Sequence, residues 1–268
     1  NIIEKEYIKN NVASSILFND NIKNIVLKVS YQNSEIQNYV NYLQKETIKQ
    51  QYTNILPSLR VQLKLKNKKS LNFGYRTSTI LPSLYQIQNV VDNTNSLQLY
   101  IGNPLLKQNY QHNFFFRYMG SNTMKANMFF IGAGGAISNS YIGNNNNIYQ
   151  YDTTIYGVYL NKGTQLTIPL NLSGYRNFRF FSTYGMPAKY IKSNLILGVN
   201  ANYTIMPGCV NNIKYLSYQL ATGGNIGINS NISEYLHFSI FSNVLYNEVK
   251  YSNNSVGNAY YTIYNNRL

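Results

Sequence analysis

The chain has 268 residues, 23 Lys+Arg against 9 Asp+Glu for a net charge of +14, 27 Tyr, 12 Phe, no Trp and one Cys. No run of 18 or more apolar residues occurs, which excludes a transmembrane helix and leaves membrane-crossing strands open. Cys209, being alone, excludes an internal disulfide.

In chain order, Asn1 to Ile22 is mixed and is expected to end one strand and cross a loop. Ile25, Leu27, Val29 and Tyr31 alternate with polar or small neighbours and predict a strand. Gln32 to Gln51 is polar, with Tyr39, Val40, Tyr42 and Leu43 scattered through it, and fits a short helix or a long strand pair. Leu56 to Tyr118 is the clearest stretch. Leu59, Val61, Leu63 and Leu65 fall on one face and Arg60, Gln62, Lys64 and Lys66 on the other, the period of two of a strand with one apolar and one wet side. A turn at Asn67-Lys68-Lys69 follows, then alternating Leu71, Phe73 and Tyr75, a longer connection, and an aromatic strand from Tyr110 to Tyr118. Thr123 to Gly135 is strand-like and ends in Gly132-Ala133-Gly134-Gly135. No Gly-Lys-Ser/Thr follows, so a crowded strand explains the glycines better than a phosphate loop. Gly143 to Tyr151, with four consecutive Asn, reads as a polar loop. Alternation returns at Leu166 to Leu172, where Pro169 calls for a bulge or a strand end. It continues at Phe178 to Ser182, Leu195 to Tyr203, Leu236 to Ile240 and from Tyr261 towards Leu268. That spacing predicts roughly 12–14 strands and the alternating pattern of a transmembrane barrel.

The tyrosine excess suits rings placed at two membrane interfaces, and it also suits an AT-rich genome. The dispersed Lys and Arg read as a solvated face or a lumen. No RNP, helix-turn-helix or zinc-finger pattern accompanies them, and nucleic acid is not expected as a partner. Catalysis is not expected either. The acids, Asp20, Glu35, Glu46, Asp92, Asp152, Glu234 and Glu248 among them, lie far apart in sequence, and none offers itself as a partner for His112. His237 and Glu234 fall on opposite sheet faces of a regular strand, and a structural or lumen-facing role is expected for both histidines. Metal-ligand spacing and cofactor motifs are absent.

Four elements in order carry a resemblance: Leu56-Pro57-Ser58-Leu59, Phe73-Gly74-Tyr75-Arg76, Leu81-Pro82-Ser83-Leu84-Tyr85-Gln86-Ile87 and Gly102-Asn103-Pro104-Leu105-Leu106-Lys107. Together they resemble the barrel of Bacteroidetes-type TonB-dependent outer-membrane receptors. Leu81 stands where that family has Arg, and Gln108-Asn109 where it has Pro-Glu. The resemblance implies an all-β fold, an antiparallel transmembrane β-barrel, with residues 1–268 as the middle to C-terminal part of a larger cylinder of about 22 strands whose plug lies outside this chain. It implies nutrient uptake (a glycan, peptide or metal chelate) with outer-membrane lipids, a surface lipoprotein and TonB as partners. The alternative is a structural subunit among other outer-membrane complex subunits, and a soluble β-sandwich adhesin is a third reading. The motif positions Pro57, Ser58, Leu59, Tyr75, Pro82, Ser83, Gln86, Gly102, Asn103, Pro104, Leu106 and Lys107 are expected to set strand starts, turns and register, with Pro57 and Pro82 fixing φ at strand starts. Loops at Gly143 to Asn147 and Lys250 to Asn258 are candidates for the outside. Leu63 is expected to face lipid.

Overall fold

The computed structural model describes residues 3–42, 44–233, 236–253 and 257–267. Among these, 17 strands replace the 12–14 expected, because two connections carry small strands of their own. The wall is an antiparallel meander of eleven: β1 (Ile3–Asn19), β2 (Lys23–Tyr42), β3 (Gln44–Leu65), β4 (Lys69–Ile80), β7 (Asn109–Asn122), β8 (Asn127–Asn139), β13 (Arg176–Ala188), β14 (Ser193–Val210), β15 (Ile213–Ser233), β16 (Leu236–Tyr251) and β17 (Ala259–Arg267). β1 and β17 each pair along one edge only among the described residues, so the wall stands open. The polar segment 32–51 is the long β2–β3 pair, not a helix, and Asn1 to Ile22 is largely the single strand β1. β15 carries no expectation from the sequence, because its Gly223-Gly224 and Asn-rich run blurs the alternation.

The register sorts side chains cleanly. Leu59 lies opposite Leu27 and Tyr75, Tyr75 opposite Phe114, and Phe178 opposite Tyr203. Paired residues share a face, so Ile16, Leu27, Leu59, Phe73, Phe116, Phe180, Val199, Ile226 and Val244 form one apolar sheet surface. Much of it is exposed, with Val12 at 74% and Ile16 at 70%. Tyr118 and Tyr184 lie on this face towards one end, Tyr110, Tyr218 and Tyr246 towards the other. Tyr110 and Tyr118 are eight residues apart, roughly 27 Å along a strand, close to the ~25 Å apolar band of an outer-membrane barrel.

The two ends differ. At one, strands reverse through 20–22, 66–68, 123–126 and 189–192. Asn67 and Lys68 there have φ of 59° and 54°, the left-handed backbone of a tight hairpin. The residues 234–235, Glu234 included, lie outside the described residues, as do Leu43, Leu268 and 254–256 of the 250–258 loop. At the other end β4 and β7 are joined by 81–108 and β8 and β13 by 140–175. The first insertion holds the helix α1 (Leu84–Ile87), β5 (Val91–Asp92) and β6 (Gln98–Ile101). The second holds β9 (Tyr141–Ile148), the hairpin β10 (Thr153–Ile155) and β11 (Val158–Leu160), and β12 (Gln165–Leu172). They fold as one cap. β6 pairs with β12 in parallel and β9 with β12 antiparallel. Leu99, Ile101, Leu160 and Leu166 make its core.

Gly143 to Ile148 is therefore a strand where a loop was expected. Its asparagines are held by side-chain bonds: Asn145 Nδ2 donates to Asn147 Oδ1 (3.1 Å) and Asn212 Oδ1 (2.6 Å), and Thr167 Oγ1 donates to Asn146 Oδ1 (3.0 Å). Pro169 needs no bulge, since β6 covers β12 only as far as Thr167 and leaves its far side an edge. Thr123 begins a turn, and the glycine run sits inside β8, not at a strand end.

Leu63 shares a row with Leu71 and Tyr118 at the interface, while Leu59 shares the row of Phe114, halfway between the tyrosine belts. The lysine penalty of about 2–4 kcal/mol at a bilayer midplane falls to about 0–1 near its interfaces. Leu59→Lys should therefore cost the larger amount and Leu63→Lys the smaller, measured as unfolding free energy in lipid vesicles. Equal costs would contradict this placement of the apolar band.

Candidate functional site

The cap leans onto the polar face of the wall. Ile36 of β2 and Tyr52 of β3 share that face and pack against Leu84, Ile87 and Leu106 of the first insertion. Tyr52 Oη donates to the Leu106 carbonyl (2.9 Å), Gln50 Nε2 to the Pro104 carbonyl, and the Leu84 amide to Tyr7 Oη (3.3 Å). At Asn211-Asn212, a turn with both φ values positive ties the wall to the cap: the Ile148 amide donates to Asn211 Oδ1 (2.7 Å).

The motif residues are distributed between wall and cap. Pro57, Ser58 and Leu59 lie inside β3, with Pro57 opposite Val29, so Pro57 does not start a strand. The Pro57 carbonyl accepts from Thr77 Oγ1 (2.9 Å). Pro82 leads into α1 rather than a strand. Ser83 caps that helix: the Gln86 amide donates to Ser83 Oγ (3.3 Å) and the Ser83 amide to Gln86 Oε1 (2.9 Å), a reciprocal capping box. The Ser-x-x-Gln spacing was the signal for it. Gly102 presses against the Gln88 carbonyl, 2.4 Å from where a Cβ would sit, so no larger residue fits. Asn103 Oδ1 accepts from the Leu105 amide (2.9 Å) and Nδ2 donates to the Pro169 carbonyl (3.0 Å). The Lys107 amide donates to Asn171 Oδ1 (2.8 Å), and Asn171 Nδ2 donates back to the Lys107 carbonyl (2.8 Å). These bonds join the two insertions.

Tyr75 Oη meets His112 Nδ1 at 2.8 Å, and Tyr110 lies 5.1 Å from the imidazole, centre to centre. All three stand on the apolar face, so His112 is not lumen-facing and belongs to the tyrosine belt. His237, opposite Asn231, faces the polar side. Four acids are engaged locally: Glu35 with Lys49 (2.8 Å), Glu248 with Lys250 (2.8 Å), Asp92 with Thr94 and Tyr85, and Asp152 with Tyr159 and the Lys162 amide. No three His, Cys, Asp or Glu side chains gather among the described residues.

Further along the same strands, the polar face holds a depression of about 480 Å³ bordered by Lys28, Arg60, Arg76 and Arg179, with Ser58, Gly74, Asn113 and Phe115 between them. One row runs Arg60, Gly74, Phe115, Gly134, Arg179 across five adjacent strands. The Phe115 ring lies over Gly74, whose Cβ, if present, would fall 2.1 Å from Cε1. Phe181 over Gly132 and Phe241 over Gly227 repeat the device, in which an aromatic covers a cross-strand glycine. Arg117 is held over Phe130, 5.5 Å from the ring centre.

A model of the outer membrane protein beta-barrel family matches residues 27–265. No curated protein and no solved structure matches the chain.

Gly74→Leu should displace the Phe115 ring and cost about 1–3 kcal/mol as overpacking. Adding Phe115→Ala should recover most of that loss in a double-mutant cycle of unfolding free energies, and an additive result would refute the pairing. In the cap, Tyr100 stacks on Tyr85 (centroids 4.1 Å apart), and burial pushes the Tyr100 hydroxyl up to about 12. The unfolded tyrosine ionises first, near pH 10, so this contribution to cap stability is present below pH 10 and is lost as pH rises towards 12. In a tyrosinate absorbance titration, Tyr100→Phe should remove one late-ionising tyrosine.

Proposed function

Because the chain belongs to the outer membrane protein beta-barrel family, and so to the outer membrane, we infer that it is part of the barrel of a TonB-dependent receptor that takes up a nutrient. The observation that carries this reading is the asymmetry of the wall. One end has tight turns, and the other bears two insertions folded together over the polar face. Outer-membrane barrels keep short turns on the periplasmic side and long loops outside, so the capped end is the outer one. The connections at 140–175 and 252–258 both belong to that end.

Lipid does not tolerate an open sheet edge. The unpaired edges of β1 and β17 therefore call for further strands, towards the about 22 of a plugged transporter, with the plug against the polar face. A surface lipoprotein would sit over the cap, and TonB would act from the short-turn side. The cargo would be a glycan, a peptide or a metal chelate, and nothing in this reading requires catalysis. A second reading, a structural subunit of an outer-membrane assembly, is favoured by the exposed apolar side chains of the cap: Leu105 (84%), Tyr151 (78%), Tyr159 (63%) and Tyr156 (60%).

The deciding experiment compares cells with and without the full-length protein for uptake of labelled glycan, peptide and metal-chelate pools, each with TonB present or removed. Accumulation that needs both proteins is expected. Uptake unchanged by loss of this protein, together with its co-purification in a stoichiometric complex, would replace the receptor by the structural subunit.

A further inference from the structure

Around the depression the polar face of the wall carries charge of one sign. By register Lys28, Arg60, Arg76, Arg117 and Arg179 stand there together. Glu35 and Glu248 stand on the apolar face near the capped end. None of Lys28, Arg60, Arg76 and Arg179 makes an ion pair among the described residues. Like charges held without counterions in a low-dielectric enclosure raise the local concentration of anions.

The four groups are arranged around a floor. Lys28, Ser58, Arg76 and Asn113 form one row, and Arg60 and Arg179 end the next, separated by four strand spacings or roughly 19 Å. Between them the glycines leave the sheet surface bare apart from the flat Phe115 ring. Three of the four cations are arginines, whose planar fork matches the two oxygens of a carboxylate or phosphate. Ser58 and Asn113 add neutral hydrogen-bonding groups, and the Phe115 ring offers an apolar surface to the body of a ligand.

We propose that this depression binds a small organic polyanion carrying at least two carboxylate or phosphate groups, held by Arg60, Arg76, Arg179 and Lys28. The proposal deepens the receptor reading, since it places the site inside the barrel on the path from the cap. It is tested by calorimetry on the purified full-length protein in detergent, with citrate and pyrophosphate as probes and glucose as the uncharged control. At least one anionic probe should bind, more weakly as salt is added, and glucose should not. Citrate alone assigns the site to carboxylates, and pyrophosphate alone to phosphates. Arg60→Gln and Arg179→Gln should each weaken binding about 10-fold, and with Arg76→Gln the loss should exceed about 100-fold. Lys68→Gln with Lys192→Gln, in the short turns, should change nothing. If the triple variant does not fold, the single variants decide. Absence of binding by both probes, or binding untouched by the arginine changes, overturns the proposal. So does a triple variant that loses thermal stability while the unmodified protein binds neither probe, because an acidic segment of the protein would then fill the site. Calorimetry needs no energy source. Binding without TonB-dependent uptake would keep this site and remove the receptor reading, and uptake without binding would do the reverse.

Discussion

Backbone hydrogen bonding dictates this molecule. In hydrocarbon each strand amide and carbonyl has to find its partner on a neighbouring strand, since water is not there to replace it. Except along the outer edges of β1 and β17, the eleven wall strands meet that demand through antiparallel registers, from Ile3 opposite Val40 to Phe241 opposite Arg267. Once the register is set, the two faces follow from the period of two. An apolar surface with tyrosine belts turns one way, and a polar, basic surface the other.

Side chains adapt to the register rather than choosing it. At three places where a phenylalanine would project from the polar face, a residue across the strand is glycine, and the ring lies down on it. Phe115 with Gly74, Phe181 with Gly132 and Phe241 with Gly227 all follow this arrangement. The polar face is thereby kept low, and arginines stand out from it. At the capped end the same demand is met by asparagine. Asn103, Asn145, Asn171, Asn211 and Asn212 bond backbone or one another where the strands of wall and cap do not match.

Much of the wall was legible in the sequence, because Leu59 to Leu65, Leu195 to Tyr203 and Leu236 to Ile240 alternate without interruption. The all-β class and the membrane setting follow from such runs. The cap was not legible. Its strands are short, and one of them, Tyr141–Ile148, is built from residues that ordinarily favour loops. What makes it a strand is its partner Gln165–Leu172, a non-local pairing that no local pattern encodes. Of the motif residues, Ser83 and Gln86 had a readable physical meaning as a helix cap. The job of Asn103 depends on Pro169, 66 residues further on. The basic depression was visible only as dispersed charge, because Lys28, Arg60, Arg76 and Arg179 come from four strands and meet through register alone.

The parallel pairing of Gln98–Tyr100 with Gln165–Thr167 also bears on the order in which the chain acquires its shape. The first insertion lies between β4 and β7, yet its edge strand and the core formed by Leu99 and Ile101 wait for a segment delivered after β8. Hairpins of the wall can zip from their tight turns with little loop-closure entropy. The cap instead requires the later segment to reach back some 65 residues, a high-contact-order step expected to be slow. The cap is therefore the last part to mature. Shortening either insertion alone would strand the other, so the two connections have to vary in length and sequence as a single inherited unit.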